Sequence, residues 1–291
     1  MTVVRLTLRE AANRKVLIVG GVVSVAFLLL FWLGFSIAFN SITSPSDPTD
    51  PAVGATIMTV LGLYAVQFLA AFMAVLLASG AVAPEIDSGR LHAILARPLS
   101  RTSWLAQRAG TFAMLAAGYI VVMSGAILSI GAAIAGYGAI APWRGVALLA
   151  LEVIVLVALG TALSVRFSAI AAGVIVIALY GAAWIGGIMD IVGTALDNPT
   201  LQRISTGVSL IIPSDALWRG ASYYLQSPAF LLAARVEADT GNPFAGNAPP
   251  SGLFVVWAIA YGTVWWLLAD RWADHARHKR GPKHRHNPDL P

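Results

Sequence analysis

Six apolar runs, five of them longer than 20 residues and the last somewhat shorter, limit this chain more than anything else in it. A bilayer core is about 30 Å thick and a helix rises about 1.5 Å per residue, so about 20 apolar residues with almost no charge read as a transmembrane helix. The runs are 16–39, 56–82, 110–135, 143–165, 169–192 and 253–268. Only 11% of the residues are charged, against about a quarter in soluble domains, so this is a polytopic all-α membrane protein rather than a soluble domain with an anchor. Arg14 and Lys15 precede the first run as they would precede a signal peptide. That run is too long and lacks a small-x-small cleavage site, and is expected to stay as a span.

The basic residues set the expected orientation. One side carries Arg5, Arg9, Arg14, Lys15, Arg90, Arg97, Arg101, Arg108, Arg166, Arg271, Arg277, Lys279, Arg280, Lys283 and Arg285, and the other only Arg144, Arg203, Arg219 and Arg235. By the positive-inside rule the richer side is cytoplasmic, which puts both termini in the cytoplasm of a multi-pass protein of the cell membrane. The net charge of +5 is thus a matter of membrane sidedness and gives no reason to expect nucleic acid.

Residues 193–252 are the longest stretch outside the spans. Within them, 204–212 and 216–225 are apolar but short, and Pro213, Asp215, Arg219 and Pro228 interrupt them. Re-entrant or interfacial outer helices suit such pieces better than a span does. Trp218, Tyr223 and Tyr224 would sit at the headgroup level. At the other end of the chain, Val4, Leu8 and Ala11 share one face of segment 2–15, with Arg5, Arg9 and Asn13 elsewhere, the pattern of an interfacial helix. Residues 1–273 therefore form one transmembrane domain. Residues 274–291, rich in His, Lys and Arg, are expected to form a disordered cytoplasmic tail in contact with anionic lipid.

Much chemistry is missing. The chain has no cysteine and no HExxH, and all five histidines fall on the cytoplasmic side. Gly207-Val208-Ser209-Leu210-Ile211 fails the GxSxG pattern at its last position, and Gly136-Tyr137-Gly138 lacks the third glycine of a dinucleotide loop. There is no GxxxxGK[ST] to cradle a nucleotide. The tail histidines match no closed metal site, so no catalytic residue and no metal site is assigned. What remains is polar residues within spans. Glu152 in the fourth span is the clearest. It reads either as a functional buried carboxylate or as one near the outer interface that reaches water. Asp190 lies near the outer end of the fifth span, and Tyr64 and Gln67 in the second could line a polar path or bond to a neighbouring helix. Ala182-x-x-x-Gly186 and Ala183-x-x-x-Gly187 allow close helix approach, within one chain or between two.

Segment 84–101 stands apart. It holds charges and a glycine between two long apolar runs, with Pro84 and Pro98 bracketing it. Proline is tolerated early in a helix and turns the residue before it out of one. Asp87 and Ser88 can serve the open N-terminus. Ile86, Leu91, Ile94 and Leu95 give an apolar side, and Glu85, Arg90 and Arg97 give charge. Such a rod would lie on the membrane or dock in a groove of a soluble partner.

The run Glu85-x-x-x-Gly89-x-Leu91-x-x-Ile94-Leu95-Ala96-Arg97-Pro98-Leu99-Ser100-Arg101, following a second span, resembles the cytoplasmic loop of ATP-binding-cassette (ABC) transporter permeases of the type-2 exporter family. The resemblance extends to the basic N-terminal helix, the six spans and the broken outer segment. It is nearest the branch that includes the membrane subunit of the nitrous-oxide-reductase maturation transporter and sodium- and drug-export permeases. It implies two permeases, as a homodimer or with a sister subunit, and two copies of a separate ATPase that carries the ATP and Mg. Residues Glu85 to Arg97 would be the coupling helix. Its contacts would come from Glu85, Asp87, Gly89, Arg90, Leu91, Ile94, Leu95 and Arg97, with Arg166 in the turn 164–168 as a second, smaller one. The second and fifth spans would line the route, with Tyr64, Gln67, Glu152 and Asp190 as candidate path residues, under a lid of outer helices. ATP would draw the ATPases together and the coupling helices would switch the permease between two packings. The uniformly apolar spans lean toward a hydrophobic or amphipathic cargo, and the branch leaves copper- or sulfur-related cargo open. A lipid-modifying enzyme would need a cluster of carboxylates or histidines at one membrane face. A stand-alone carrier would be expected to have repeated halves and mid-bilayer charges.

Overall fold

A computed structural model describes residues 15–43, 50–80, 101–236, 246 and 248–278. These form nine helices: α1 (Lys15–Ile42), α2 (Pro51–Ser79), α3 (Arg101–Ala135), α4 (Pro142–Arg166), α5 (Ala169–Ala195), α6 (Pro199–Ile211), α7 (Ser214–Leu225), α8 (Pro228–Val236) and α9 (Gly252–His278). No strand occurs among the described residues. Six of the helices, α1 to α5 and α9, are long and apolar enough to cross a membrane, as the hydropathy pattern predicts. The expected interfacial helix before α1, most of segment 84–101 and residues 279–291 of the tail lie outside the described residues.

Local chemistry explains where the helices begin and end. α2 starts at Pro51 rather than residue 56, because the Asp50 carboxylate accepts from Ala52 N at 2.9 Å and the proline occupies the first turn. That is an N-cap followed by a residue whose missing N–H is not needed there. α3 begins at Arg101, nine residues before the apolar run. Arg101, Ser103, Gln107 and Arg108 mask it from hydropathy, yet Trp104, Leu105 and Phe112 are buried. Arg108 is also buried, its guanidinium 5.3 Å from the centre of the Trp104 ring and 5.9 Å from that of Phe112. α3 stops where Gly136 takes φ +62°, a left-handed conformation that costs glycine little. α4 and α5 are separated only by Phe167, in extended conformation, and Ser168, whose hydroxyl accepts from Ala171 N. α9 runs to His278, past the expected limits of the last span and of the transmembrane domain.

α4 is the axis. It packs against α2, α3, α5, α7 and α9, and 72% of its apolar window is buried against 11% for α1, so α4 is walled in by protein and α1 by its surroundings. Lipid tails are as apolar as leucine, so close approach between small residues replaces the hydrophobic effect in holding such helices together. Gly160 of α4 meets Ala78 of α2, and a Cβ at Gly160 would fall 2.8 Å from the Ala78 Cβ. Gly145 lies against Leu225 and the Ala221 carbonyl of α7, and Gly62 of α2 receives the Phe31 ring of α1. Polar groups also close across helices: Ser24 with Tyr119 at 2.6 Å, and Thr56 with Ser227 at 2.7 Å.

The six spans alternate in direction, which gives the bundle two ends. Arg101, Arg166 and Arg271 lie toward one, where the Arg166 guanidinium sits 5.4 Å from the centre of the Trp272 ring. The other end carries α6, α7 and α8. Ile140 N and Ala141 N donate to the Gln226 and Tyr224 carbonyls, and the Tyr137 hydroxyl donates to the Leu225 carbonyl. These bonds seat α7 over the start of α4. Trp218, expected at the headgroup level, is instead buried against Tyr64, with ring centres 5.0 Å apart. Its helix turns that face toward α2 and α5 rather than to lipid.

Gly160→Leu is expected to destabilise the bundle by about 1–3 kcal/mol through overpacking. Gly181→Ala, at a position with open space around it, is expected to stay within about 0.5 kcal/mol of the parent. Thermal unfolding in detergent would compare them, and equal melting of the two variants would sink this account of the α2–α4 contact.

Candidate functional site

The polar residues of the spans converge on one cleft. Tyr64, Gln67 and Phe68 from α2, Tyr180 and Trp184 from α5, and Ser214 and Asp215 from α7 line a slit of about 10 Å³, room for about one water molecule. Helical periodicity explains the α2 and α5 sets. Residues three or four apart share a face, as do 64, 67 and 68 on one helix and 180 and 184 on the other. α7 enters because Pro213 ends the preceding extended turn and lets the helix start at Ser214.

Glu152 lies behind the slit. It sits near the middle of α4 and is 1% exposed, so the reading in which it reaches water at the outer interface does not hold. Its Oε1 accepts from Gln67 Nε2 at 2.8 Å. Its Oε2, Gln67 Oε1 and Ser214 Oγ are buried without a hydrogen-bond partner among the described residues. Buried polar groups are nearly always paired; here two such oxygens belong to lining residues of one slit, and the third belongs to the carboxyl hydrogen-bonded to one of them.

In front of the slit the aromatic rings form a wall. Trp184 Nε1 donates to the Tyr64 hydroxyl. The Phe68 ring meets Tyr64 at 5.0 Å, Tyr180 at 5.6 Å and Trp184 at 6.4 Å between centres, all edge to face. That geometry sets positive ring edges on negative faces.

Beside it lies a charged knot that sequence reasoning did not assemble. Arg219 of α7 pairs with Asp215 at 2.9 Å, with Asp190 of α5, and with the Gly187 carbonyl. Asp215 and Arg219 are four residues apart on one helix, and that spacing was the available signal. Gly187 has no side chain where the Asp215 carboxylate sits, and a Cβ at Gly186 would fall 2.7 Å from Val208 of α6. The small-residue face of α5 thus serves packing within the chain. Burial pushes the Asp215 carboxyl up to about 6, with Arg219 opposing the shift.

The four candidate path residues are therefore close together: Tyr64 and Gln67 line the slit, Glu152 bonds Gln67, and Asp190 joins through Arg219 to Asp215. Arg166 is elsewhere, exposed at the opposite end of the bundle beside Phe167. The other coupling candidates, Glu85, Asp87, Gly89, Arg90, Leu91, Ile94, Leu95 and Arg97, lie outside the described residues. A larger cavity of about 420 Å³ opens between α3, α4 and α9, lined by alanines, glycines, aliphatic side chains, Thr263 and Trp266. The Thr263 hydroxyl and the Trp266 indole are the polar side-chain groups of its lining, so it offers few groups to orient a ligand. Among the described residues no group of three or more His, Asp or Glu could hold a metal ion. No family model and no curated protein matches the chain.

Arg219→Leu leaves two carboxylates without their partner and is expected to cost about 1–3 kcal/mol, less than a fully buried pair because these groups are partly exposed. Asp215 binds its proton more tightly in the fold than in the unfolded chain. Its contribution is present below the ordinary carboxylate range and is lost as pH climbs through about 6. Asp215→Asn should flatten that slope in a melting series, and an unchanged slope would show that Asp215 is not its source.

Proposed function

We propose that this chain is the membrane permease subunit of an ABC transporter of the type-2 exporter kind. It would move a hydrophobic or amphipathic cargo outward across the cell membrane, driven by ATP hydrolysis on a separate subunit. The observation that carries this reading is where segment 81–100 must leave and rejoin the bundle. α2 ends at Ser79, which packs 3.5 Å from the position of a Cβ at Gly173, in the first turns of α5. The segment between the second and third spans thus begins beside the α4–α5 turn that carries Arg166 and Phe167. The resemblance calls for two coupling contacts, one large and one small. In this chain they would emerge side by side on one end of the bundle, within reach of one soluble partner.

Three further observations support it. α2 and α5 pack together and carry the slit between them, as a route lined by the second and fifth spans requires. α7 covers the slit from the opposite end, the position of a lid. The chain has no phosphate-binding loop of its own, which fits a nucleotide site on a partner carrying ATP and Mg. In operation, closure of the ATPase pair would push on segment 85–97 and on Arg166, and α4, which touches every neighbour, would pass that displacement to the cleft. Such coupling works only if the closed ATPase pair favours one packing of the permease.

Mild-detergent purification from the native membrane, with mass spectrometry, should recover a stoichiometric soluble protein with a P-loop. Ile94→Asp combined with Leu95→Asp should abolish cargo-stimulated ATP turnover while the spans stay inserted, and a reporter fused after Asp274 should report the cytoplasm. Undiminished stimulation in the double variant would remove the coupling role, and an external reporter would remove the orientation. A stand-alone carrier is the second reading, favoured by the buried Glu152. It would move cargo in vesicles that contain this chain alone.

A further inference from the structure

Glu152 is the least explained group in the molecule. It is buried, at mid-span, and the one hydrogen bond it makes among the described residues comes from a neutral amide. An ionised carboxylate buried at that depth needs a cation or several donors. Arg219, the cation that joins Asp215 at the slit, is occupied by Asp190, Asp215 and the Gly187 carbonyl.

The identity of the unpartnered atoms is informative. Gln67 Nε2 donates to Glu152 Oε1, and the two atoms left over on the same pair of groups are Gln67 Oε1 and Glu152 Oε2. Both are oxygens, and neither can donate to the other while Glu152 is ionised. A single hydrogen on Glu152 Oε2 makes it a donor and Gln67 Oε1 its acceptor. The acid and the amide then form a closed ring of two hydrogen bonds, and both unpartnered oxygens are accounted for at once.

We propose that Glu152 and Gln67 form a binding site for one exchangeable proton inside the bundle, held on Glu152 Oε2 and locked by Gln67 Oε1. The proton joins α4 to α2. The slit beside the pair gives it an exit: a water there would face Ser214 Oγ, itself without a partner, and the Asp215 carboxylate. When α2 and α4 part, the proton leaves Glu152 for that water and passes toward Asp215, and Glu152 is left as a carboxylate facing the opened slit. The inference does not depend on an ATPase partner. It holds for a driven permease and for a carrier.

The groups near Glu152 are Gln67 and Tyr64 from α2, Tyr180 from α5 and Asp215 from α7, with Arg219 and Asp190 joined to the far side through Asp215. On the remaining neighbours, Tyr119 of α3 bonds Ser24, Arg108 stacks on Trp104 and Phe112, and α9 contributes Tyr261, Asp270 and Arg271. Asp215 is the second acid of this set near the slit, so it must be separated from Glu152 by mutation.

The test is infrared difference spectroscopy of the full chain in lipid nanodiscs as pH is raised from about 5 to about 10. The expected result is a carbonyl band of a protonated carboxyl that is present at neutral pH, absent in Glu152→Gln and retained in Asp215→Asn. Glu152→Gln replaces the acid by an amide that can close the same ring, so it should fold like the parent and melt at a temperature indifferent to alkaline pH. Gln67→Leu keeps the acid but removes its partner, and should shift the band rather than remove it; this arm stands even if Glu152→Gln folds poorly. A band missing at neutral pH, or one untouched by either variant, overturns the proposal. So does a melting temperature that rises in sodium over choline and loses that rise in Glu152→Gln, which would make the three oxygens a cation site.

Discussion

The rest of the structure depends on one constraint: at membrane depth, a polar side chain must find its partner within the chain. Glu152 imposes it most severely. Its hydrogen bond to Gln67 fixes the facing sides of α2 and α4, and small residues further along the same two helices, Gly160 against Ala78, let them approach closely. With those helices set, the other spans have few choices. α3 and α9 close the sides of α4 away from the cleft, and α5 closes the near side with its tyrosine and tryptophan.

The segment between the fifth and sixth spans is the second organising element. α7 is too short to cross a membrane and too well buried to be a surface loop. Leu217, Trp218, Ala221 and Leu225 face inward, Ser222 and Gln226 hold Gly246, and Arg219 reaches to α5. The acidic partners of Arg219 lie on two different helices, so the charged knot ties α7 to α5 as well as to itself. The buried pair and the charged knot thus flank a single slit. One is neutral in its hydrogen bonding and deep; the other is ionic and partly open to solvent.

Sequence reasoning recovered much of this in pieces. Six spans follow from the length of the apolar runs, and Tyr64, Gln67, Glu152 and Asp190 stand out because polar groups are rare there. What the pattern could not supply was partnership. Gln67 and Glu152 are far apart along the chain, and no local spacing links them. Arg219 counted as one of four arginines on the sparser side and as an interruption of the short outer helices, although its i,i+4 relation to Asp215 was visible. Trp218 fits a headgroup anchor as well as a core residue, because a short amphipathic helix has the same pattern whether its apolar face meets lipid or protein. The start of α3 was missed because hydropathy averages over Arg101 and Arg108, and the Arg108 guanidinium packs on the Trp104 and Phe112 rings.

The Gln67–Glu152 bond also bears on how the protein is made. A carboxylate entering the bilayer alone at a helix centre costs on the order of 3 kcal/mol even on the most lenient insertion scales. Gln67 precedes Glu152 by 85 residues, so a ribosome delivers the amide to the membrane two spans before the acid. At this pair the group that is harder to insert comes second, when a partner for it already stands in the membrane. Exchanging the two members of the buried pair, acid in α2 and amide in α4, would keep the finished contact while making the acid arrive before its partner, and would burden biogenesis rather than the folded state.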